Sequence, residues 1–322
     1  MNVDALLDPE IAEALRALPA FEGGYTAESL PALRARSAAR MAGIQLSDAV
    51  ERTDVSVPGR DGAPEVLLRI HRPKGAAGPL PCVYSIHGGG YISGSYAADD
   101  LRFDRWCPEL NCVGVSVEYR LAPETPYPGP LEDCYAGLDW IQAHAVELGI
   151  DPARIGISGA SAGGGLAAAL ALLVRDRAEF QITFQLLLYP MIDDSHTNHS
   201  SSWEVPIWSP TANRFGWDSY LGPLRDGDVP AYAAPTRATN LEGLPPALIL
   251  VGALDGFLDE DIDYARRLNH AGVPCELQVY PGAPHGFDGL LPGAAVSRRA
   301  RQRTLEWLRD ALEFRALAPV ER

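Results

Sequence analysis

Apolar and polar residues follow two different rhythms along this chain. From residue 50 onward, short continuous apolar runs alternate with longer segments whose apolar residues recur every three to four positions. The first pattern predicts buried strands, and the second predicts amphipathic helices. Continuous apolar strands that alternate with helices are typical of a parallel sheet covered on both faces. We therefore expect an α/β fold with a mostly parallel central sheet flanked by helices.

The elements are predicted in a regular order. Two helices come first, over 8–18 and 26–42, and the second stops at Gly43. The predicted strands read VERTDVSV, PEVLLRIHRP, PCVYSI, CVGVSVEY, RIGISG, QITFQLLLYP, PPALILVG and CELQVY. The remaining helices are predicted in LRFDRWCPEL, LEDCYAGLDWIQAHAVEL, SAGGGLAAALALLVRD and DIDYARRLNHAG, and from about Ala294 to Phe314.

The alternation is interrupted after Pro190. The stretch 191–233 is polar, punctuated by proline and rich in tryptophan, which suits a roof over a pocket better than a sheet. We predict one main α/β domain, formed by 49–190 and 234–322. A cap is predicted to combine the insertion with the N-terminal helices of 1–48.

The charge of the chain disfavours some partners. Its 322 residues carry a formal net charge of −15, so the surface should repel nucleic-acid phosphates and anionic lipid headgroups. No apolar run is long enough to span a bilayer, and the N-terminus lacks the basic and apolar regions of a signal peptide. We therefore expect no nucleic-acid partner, no stable membrane association and a cytoplasmic protein.

The cysteines indicate a reducing compartment. The chain has five, an odd number, and none are spaced as CxxC: Cys82, Cys107, Cys112, Cys134 and Cys275. We expect free thiols rather than a disulfide framework. One pair, Cys107 and Cys112, is close enough along the chain to meet.

The strongest chemical signal is a serine between glycines. The sequence GASAG at 159–163 joins the apolar strand RIGISG to a helix of small residues. A serine on such a sharp strand-to-helix turn is held in a strained backbone conformation that only tiny neighbours tolerate. A glycine-rich turn could also serve only to pack a helix closely on a strand. The strand–turn–helix context favours a nucleophile at Ser161, where the helix N-terminus stabilises a developing anion.

A second glycine-rich loop, HGGGY at 87–91, directly follows the strand PCVYSI. Consecutive glycines free the backbone to aim N–H groups into a cavity, as an oxyanion hole requires. A flexible surface loop and a phosphate cradle are the alternatives. Because no GxGxxG or GxxxxGK[ST] sequence accompanies the loop, nucleotide binding is disfavoured.

The base and the acid follow from the order of the chain. In hydrolases whose nucleophile sits on such a turn, the acid comes after the serine and the histidine comes last. His285 lies in a loop after the strand CELQVY, at the expected edge of the sheet, whereas His270 ends a predicted helix. The acid should follow the preceding strand, which favours Asp255. Two alternatives fall in the first turn of the next helix, where acids stabilise the helix dipole: Asp259 and Glu260.

Two other groups carry weaker signals. A loose cluster of possible ligands lacks any recognised zinc spacing, so we expect no metal: Asp193, Asp194, His196 and His199. The tryptophans of the insertion could line an acyl pocket or could pack the cap against the domain: Trp203, Trp208 and Trp217. We take Trp208 as the candidate pocket residue.

Together these motifs resemble the hormone-sensitive-lipase family of α/β-hydrolases, in particular its bacterial esterases. The similarity runs from about residue 50 to the C-terminus and rests on HGGGY at 87–91, YRLAPE at 119–124, GASAGG at 159–164, DGFLDE at 255–260 and HGF at 285–287. It implies the α/β-hydrolase fold with a helical cap. Members usually carry Asp or Thr where this chain has Ala160, and Pro where it has Gly256. The first departure leaves the subfamily open.

The resemblance also implies roles for individual residues. Ser161 would be the nucleophile, Asp255 the acid and His285 the base. The backbone N–H groups that would hold the oxyanion belong to three residues: Gly89, Gly90 and Ala162. Glu124, in the segment YRLAPE, matches a structural position rather than a catalytic one.

The implied reaction is hydrolysis of short- to medium-chain carboxylic esters through an acyl-enzyme, without a cofactor and with a small-molecule ester as partner. Many members pair as homodimers through an edge strand, so a homodimer is a further expectation. The same residues could serve an amidase, a formamidase or a lactonase. A non-catalytic receptor is disfavoured because receptors on this fold have typically lost the histidine that is present here as His285.

Overall fold

The centre of the fold is a mostly parallel sheet. The computed structural model describes residues 3–17 and 24–313. Within them the strands are β1 (Val50–Val57), β2 (Val66–Pro73), β3 (Leu80–Ile86), β4 (Val113–Glu118), β5 (Ile150–Ala160), β6 (Gln185–Leu188), β7 (Ala247–Leu254) and β8 (Cys275–Pro284). They form one eight-stranded sheet in the order β1-β2-β4-β3-β5-β6-β7-β8. The pairs β1–β2 and β2–β4 are antiparallel, and the others are parallel.

Helices cover both faces of this sheet. Within the same residues the α-helices are α1 (Pro9–Ala17), α2 (Leu30–Ala42), α3 (Asp100–Leu110), α4 (Gly129–Ala143), α5 (Ala162–Arg177), α6 (Pro210–Leu221), α7 (Leu258–His270), α8 (Phe287–Leu290) and α9 (Ala295–Ala311). One apolar core joins the sheet to α4, α5 and α7, and a second joins it to α3 and α9. Every residue of β3 and β6 is buried in consequence. None of the helices described is long and apolar enough to cross a membrane.

The predicted α/β architecture is confirmed, with differences at the ends of elements. The second helix begins at Leu30 instead of residue 26, because a proline lies in its first turn, where a missing N–H costs least. The sixth strand is shorter than its apolar run, since Tyr189 takes a left-handed φ of 38° directly after Leu188. The ends predicted at Leu18 and Phe314 lie outside the described residues.

The insertion contains a helix that its polar pattern concealed. Helix α6 starts after Ser209, whose side chain accepts the N–H of Ala212 at 3.2 Å, and Pro210 occupies its first turn. A serine followed by proline is a recognised start signal that the sequence reasoning did not use. The division into catalytic domain and cap stays a prediction. The N-terminal segment does meet the insertion, since the rings of Tyr25 and Trp208 lie 5.0 Å apart in an edge-to-face contact.

An ion pair attaches α2 to the rest of the fold. Both terminal nitrogens of Arg34 donate to the carboxylate of Glu124 at 2.7 Å, and its Nε donates to the Ile92 carbonyl at 2.8 Å. These bonds to Arg34 lower the pKa of Glu124 to about 2. Glu124 therefore holds the N-terminal segment beside the HGGGY loop, because Ile92 follows that loop directly.

All five cysteines are free thiols in this structure. The backbone N–H of Cys112 donates to the Cys107 carbonyl at 3.3 Å, so these two residues do meet. Both are buried, as are Cys82 and Cys134. The reducing compartment stays a prediction.

Candidate active site

A sharp turn between β5 and α5 carries Ser161. The residue has φ 57° and ψ −123°, outside the regions that side-chain-bearing residues favour, so the turn is strained. A Cβ at Gly159 would lie 2.0 Å from the Gly163 carbonyl oxygen, and one at Gly163 would lie 2.1 Å from that of Ile86. The glycines of GASAG therefore allow the strand, the turn and the helix to approach closely enough to present the serine.

Ser161, His285 and Asp255 form a hydrogen-bonded series. The Nε2 of His285 lies 2.8 Å from the Oγ of Ser161, and its Nδ1 lies 2.8 Å from a carboxylate oxygen of Asp255. Because a carboxylate only accepts, Nδ1 carries the proton and Nε2 accepts the hydroxyl hydrogen of the serine. The structure thus brings together the three residues that the sequence singled out, in the arrangement that activates a hydroxyl nucleophile.

The three residues of the series are shielded from water, and neighbouring groups hold Asp255 and His285 in place. Ser161 is 8% exposed, His285 5% and Asp255 1%, so their hydrogen bonds lie in a medium of low polarity that strengthens them. The second carboxylate oxygen of Asp255 accepts the N–H of Phe257 at 3.0 Å. The rings of Phe257 and Tyr189 approach the His285 ring edge-on, at 4.9 and 5.0 Å between centroids. Packing therefore holds the imidazole in one orientation.

Three backbone N–H groups near Ser161 donate to no acceptor in the part of the chain that the structure describes: Gly89, Gly90 and Ala162. Gly89 and Gly90 have φ of 127° and 63°, conformations that glycine adopts readily. Ala162 opens α5, where helical N–H groups have no partner within the helix. The loop touches the serine turn, since a Cβ at Gly88 would lie 3.2 Å from that of Ser161. Such free donors can hold an oxyanion formed on a carbonyl beside Ser161.

His87 supports this loop and is not a second base. Its ring stacks on Tyr119 at 4.2 Å between centroids, and its Nδ1 lies 2.9 Å from the Gly88 carbonyl, which it can contact only by donating. The hydroxyl of Tyr119 donates to the His87 carbonyl at 2.9 Å. Burial lowers the pKa of His87 to about 4, so the ring is neutral at pH 7.

Trp208 lies against the oxyanion loop. A Cβ at Gly90 would be 2.2 Å from Cη2 of Trp208, and the Trp208 and His285 rings are 6.4 Å apart. The indole Nε1 donates to Oδ1 of Asn213 in α6 at 3.2 Å, which fixes the ring from the insertion. The structure therefore brings this candidate pocket residue against Gly90 and near His285, and its role in an acyl pocket stays a prediction.

The other tryptophans of the insertion pack elsewhere. Trp217 is fully buried, and its ring lies 5.3 Å from that of Tyr91. Trp203 is only partly buried and meets the ring of His199 edge-on at 5.7 Å. Of the two interpretations of these tryptophans, packing is therefore the one that fits Trp217.

Sequence reasoning missed residues that surround the base. The hydroxyl of Tyr189 donates to Asp288 at 2.8 Å while its ring packs on His285. Tyr189 follows β6 and Asp288 comes three residues after His285, so both lie at the sheet edge where the site was expected. Their place at this edge of the sheet is the feature of the sequence that could have identified both residues.

Glu260 has a larger role than the helix-dipole interpretation gave it. Its side chain is buried and accepts the N–H groups of Ile192 and Asp193 at 3.0 and 3.1 Å. Burial raises the pKa of Glu260 well above its usual range. The residue joins α7 to the chain that leaves β6, and so steadies the loop that carries Asp255.

The loose cluster of acids and histidines in the insertion is not gathered at one point. Asp194 pairs with Arg225 and Arg237, while Asp193 accepts from Ser195 and Asn198. Across residues 3–17 and 24–313, no group of three or more His, Cys, Asp or Glu side chains is placed to hold a metal ion.

A mostly parallel sheet with a strained serine turn after β5, a carboxylate after β7 and a histidine after β8 has the architecture of an α/β-hydrolase. Residues 83–289 match the family described as alpha/beta hydrolase fold, and the chain belongs to that family. The family and fold that the motifs predicted are thereby confirmed.

The relatives of this chain include several esterases. Esterase LipI of Mycobacterium tuberculosis is 37% identical over 234 residues, which cover 72% of this chain and 73% of that protein. Carboxylesterase NlhH of the same organism is 35% identical over 266 residues, or 81% and 83% of the two chains. Among solved structures, a bacterial heroin esterase aligns with a TM-score of 0.92 and 42% identity, covering 97% of this chain and 100% of that one.

Proposed function

We propose that this protein is a carboxylesterase that hydrolyses short- to medium-chain esters through an acyl-enzyme on Ser161. The observation that carries the proposal is the hydrogen-bonded series of Ser161, His285 and Asp255 beside three unpaired N–H groups. The esterases among its relatives support the same chemistry.

In the first step, Oγ of Ser161 attacks the ester carbonyl carbon as Nε2 of His285 takes the hydroxyl proton. The N–H groups of the glycine loop and of Ala162 hold the oxyanion, each contributing about 3 kcal/mol in the transition state. The tetrahedral intermediate then expels the alcohol, which leaves with the proton from His285. Ser161 remains acylated.

The second step repeats the first with water. His285 takes a proton from water, whose oxygen attacks the acyl carbonyl carbon, and a second oxyanion forms in the same place. Collapse releases the carboxylic acid and returns the proton to Oγ of Ser161. Asp255 stays ionised throughout and stabilises the imidazolium that forms twice in each turnover.

The surface favours dissolved esters over lipid droplets. Enzymes that work on emulsions need a sizeable exposed apolar area. Within the described residues, the large apolar side chains that are most exposed are few and lie on different elements: Leu6, Leu101, Val146, Ile262 and Val279. A strongly acidic chain with scattered apolar residues suits small soluble substrates.

A panel of p-nitrophenyl esters of increasing acyl length, paired with the p-nitroanilides of the same acids, tests the proposed function. We expect kcat/KM to be highest at about C4 to C8 and the anilides to be at least roughly a hundredfold slower. Comparable rates on anilides would replace the proposal with an amidase. Highest turnover on emulsified long-chain triglyceride would contradict the expected acyl range.

Trp208 offers a test of acyl selection. Since its ring lies beside Gly90 and near His285, Trp208→Ala should widen the acyl site and change the ratio of kcat/KM between C4 and C8 esters by on the order of tenfold. Trp307→Phe is the matched control, because the Trp307 ring packs edge-on against Phe184, just before the start of β6 and so at the sheet edge opposite the site, and it should change all esters in proportion. A Trp208→Ala protein that melts cooperatively and keeps the wild-type ratio would remove Trp208 from the acyl pocket.

The setting of the protein belongs to the same proposal. A cytoplasmic location is supported by the five free thiols. A homodimer through an edge strand is supported by the position of β8. This strand ends the sheet and pairs with β7 along one side, which leaves its other side as the edge that a second copy could extend.

A further inference from the structure

A cavity of about 310 Å³ lies between α2, α3 and α9. Residues from α2, α3, α8 and α9 line it, whereas Ser161, His285 and Asp255 do not. Its volume is at the lower end of the range for small-molecule sites. The cavity is therefore separate from the proposed ester site, and its lining indicates what it would accept.

Positive charge is concentrated in this lining. Four arginines face the cavity with a single carboxylate, Asp288, in a chain whose net charge is −15: Arg40, Arg102, Arg105 and Arg301. Two of the four pair with carboxylates that lie outside the cavity. Arg102 pairs with Asp99 at 2.5 Å and Arg105 with Glu109 at 2.8 Å, and neither carboxylate lines the cavity.

The other two arginines have only carbonyl oxygens as partners within the described chain. Arg40 reaches the Gly289 carbonyl at 3.5 Å, and Arg301 donates to the Pro292 carbonyl at 2.6 Å. The Nε of Arg301 is buried and has no hydrogen-bond partner among the described residues. A buried donor on a cation is costly to leave unpaired, because it has lost water without gaining an acceptor.

Near Arg301, the single carboxylate of Asp288 is outnumbered by two further arginines. Burial lowers the pKa of Arg301, Asp288 opposes this effect, and the nearby Arg105 and Arg298 reinforce it. A site that disfavours the protonated form of an arginine is short of an anion. A bound carboxylate would supply the missing charge and could accept from Nε.

The rest of the lining is apolar. Trp106 and Leu188 are buried at the wall of the cavity, Met41 comes from α2, and Ile44 comes from the chain just beyond the end of α2. Leu101 also lines the cavity although its side chain is 51% exposed, so it lies where the cavity meets solvent. An inorganic anion would leave this apolar surface uncovered, whereas a carboxylate with a hydrocarbon or aromatic body would cover it.

We propose that the cavity between α2, α3 and α9 is a binding site for a small organic carboxylate with an apolar body. Its carboxylate is held by Arg301 and Arg40, and its apolar part packs on Trp106, Leu101 and Leu188. The site is distinct from the ester site and does not depend on the chemistry of Ser161.

Isothermal titration with 4-phenylbutyrate tests this site, with the neutral 4-phenylbutyramide as the matched ligand. We expect the acid to bind at one site per chain, with the amide roughly tenfold or more weaker because it lacks the charge that Arg301 needs. Arg301→Gln should weaken binding of the acid by a similar factor. Arg303→Gln is the matched control, since Arg303 is on the same helix, pairs with Glu306 and does not line the cavity.

A second variant keeps the test valid if Arg301→Gln fails to fold. Leu101→Glu places a negative charge at the exposed edge of the cavity, where a substitution disturbs no packing core, and should also weaken binding of the acid by roughly tenfold or more. Wild-type affinity in both variants would place the probe elsewhere and overturn the proposal. Equal affinity for acid and amide, or no binding of the acid at millimolar concentration, would overturn it as well.

Discussion

Replacing Ser161 with alanine is expected to reduce kcat on p-nitrophenyl butyrate by on the order of 10⁴-fold or more. The change removes the atom that would form the acyl-enzyme, while the oxyanion donors and the fold remain. The turn should tolerate it, since alanine keeps the Cβ that Ser161 already carries at its φ of 57°. Steady-state kinetics on protein purified free of host esterases measures the loss.

The serine-to-alanine change needs a control of the same chemistry. Ser202→Ala removes an exposed serine hydroxyl that donates to the His199 carbonyl, away from the turn. This variant should keep the wild-type kcat. If Ser161→Ala retained more than about a hundredth of the activity, the nucleophile would have to be another group.

Asp255→Asn is expected to lower kcat by roughly 10³- to 10⁴-fold without changing the fold. The carboxylate accepts from His285 with one oxygen and from the N–H of Phe257 with the other. An amide cannot do both. If its NH₂ faces His285, the imidazole must carry its proton on Nε2, where it can no longer take one from Ser161. If its NH₂ faces Phe257, two donors meet.

The matched change is Asp263→Asn in α7. Asp263 is exposed and pairs with Arg266 at 2.6 Å, so its charge can be removed without touching the site. This variant should behave as wild type. An Asp255→Asn enzyme with more than about a tenth of the wild-type kcat would show that Asp255 does not set the tautomer of the base.

Much of the fold and of the candidate site could be predicted from the sequence, because the signals are local. The apolar strands, the glycines of GASAG and the HGGGY loop can each be recognised from a few consecutive residues. His285 and Asp255 could be placed because each follows a recognisable strand, and parallel strands bring their carboxyl ends to one edge of the sheet.

What could not be predicted depends on contacts between distant segments. The bond from Tyr189 to Asp288 joins residues 99 apart, and the pairing of Arg34 with Glu124 joins residues 90 apart. Neither follows from periodicity, which reports the buried face of an element but not its neighbour. The arginine-lined cavity depends most on such distant contacts, since Arg40, Arg102 and Arg301 come from three separate helices, α2, α3 and α9.

The helix in the insertion shows a different limit. Helix α6 buries Trp217 and Tyr220 but has polar and glycine residues among its apolar ones, so its periodicity is weak. Ser209 followed by Pro210 signals the start of a helix, but the polar, proline-rich sequence around these residues is typical of an irregular segment. Tertiary packing, more than helical propensity, determines such a segment.

Covalent capture of the nucleophile tests the central claim most directly. The protein is treated with a fluorophosphonate, digested, and the modified peptide is sequenced by mass spectrometry. We expect one phosphonate per chain on Ser161, loss of esterase activity in proportion to labelling, and no labelling of Ser161→Ala. A stable adduct on another residue, or full activity after stoichiometric labelling of Ser161, would contradict the account.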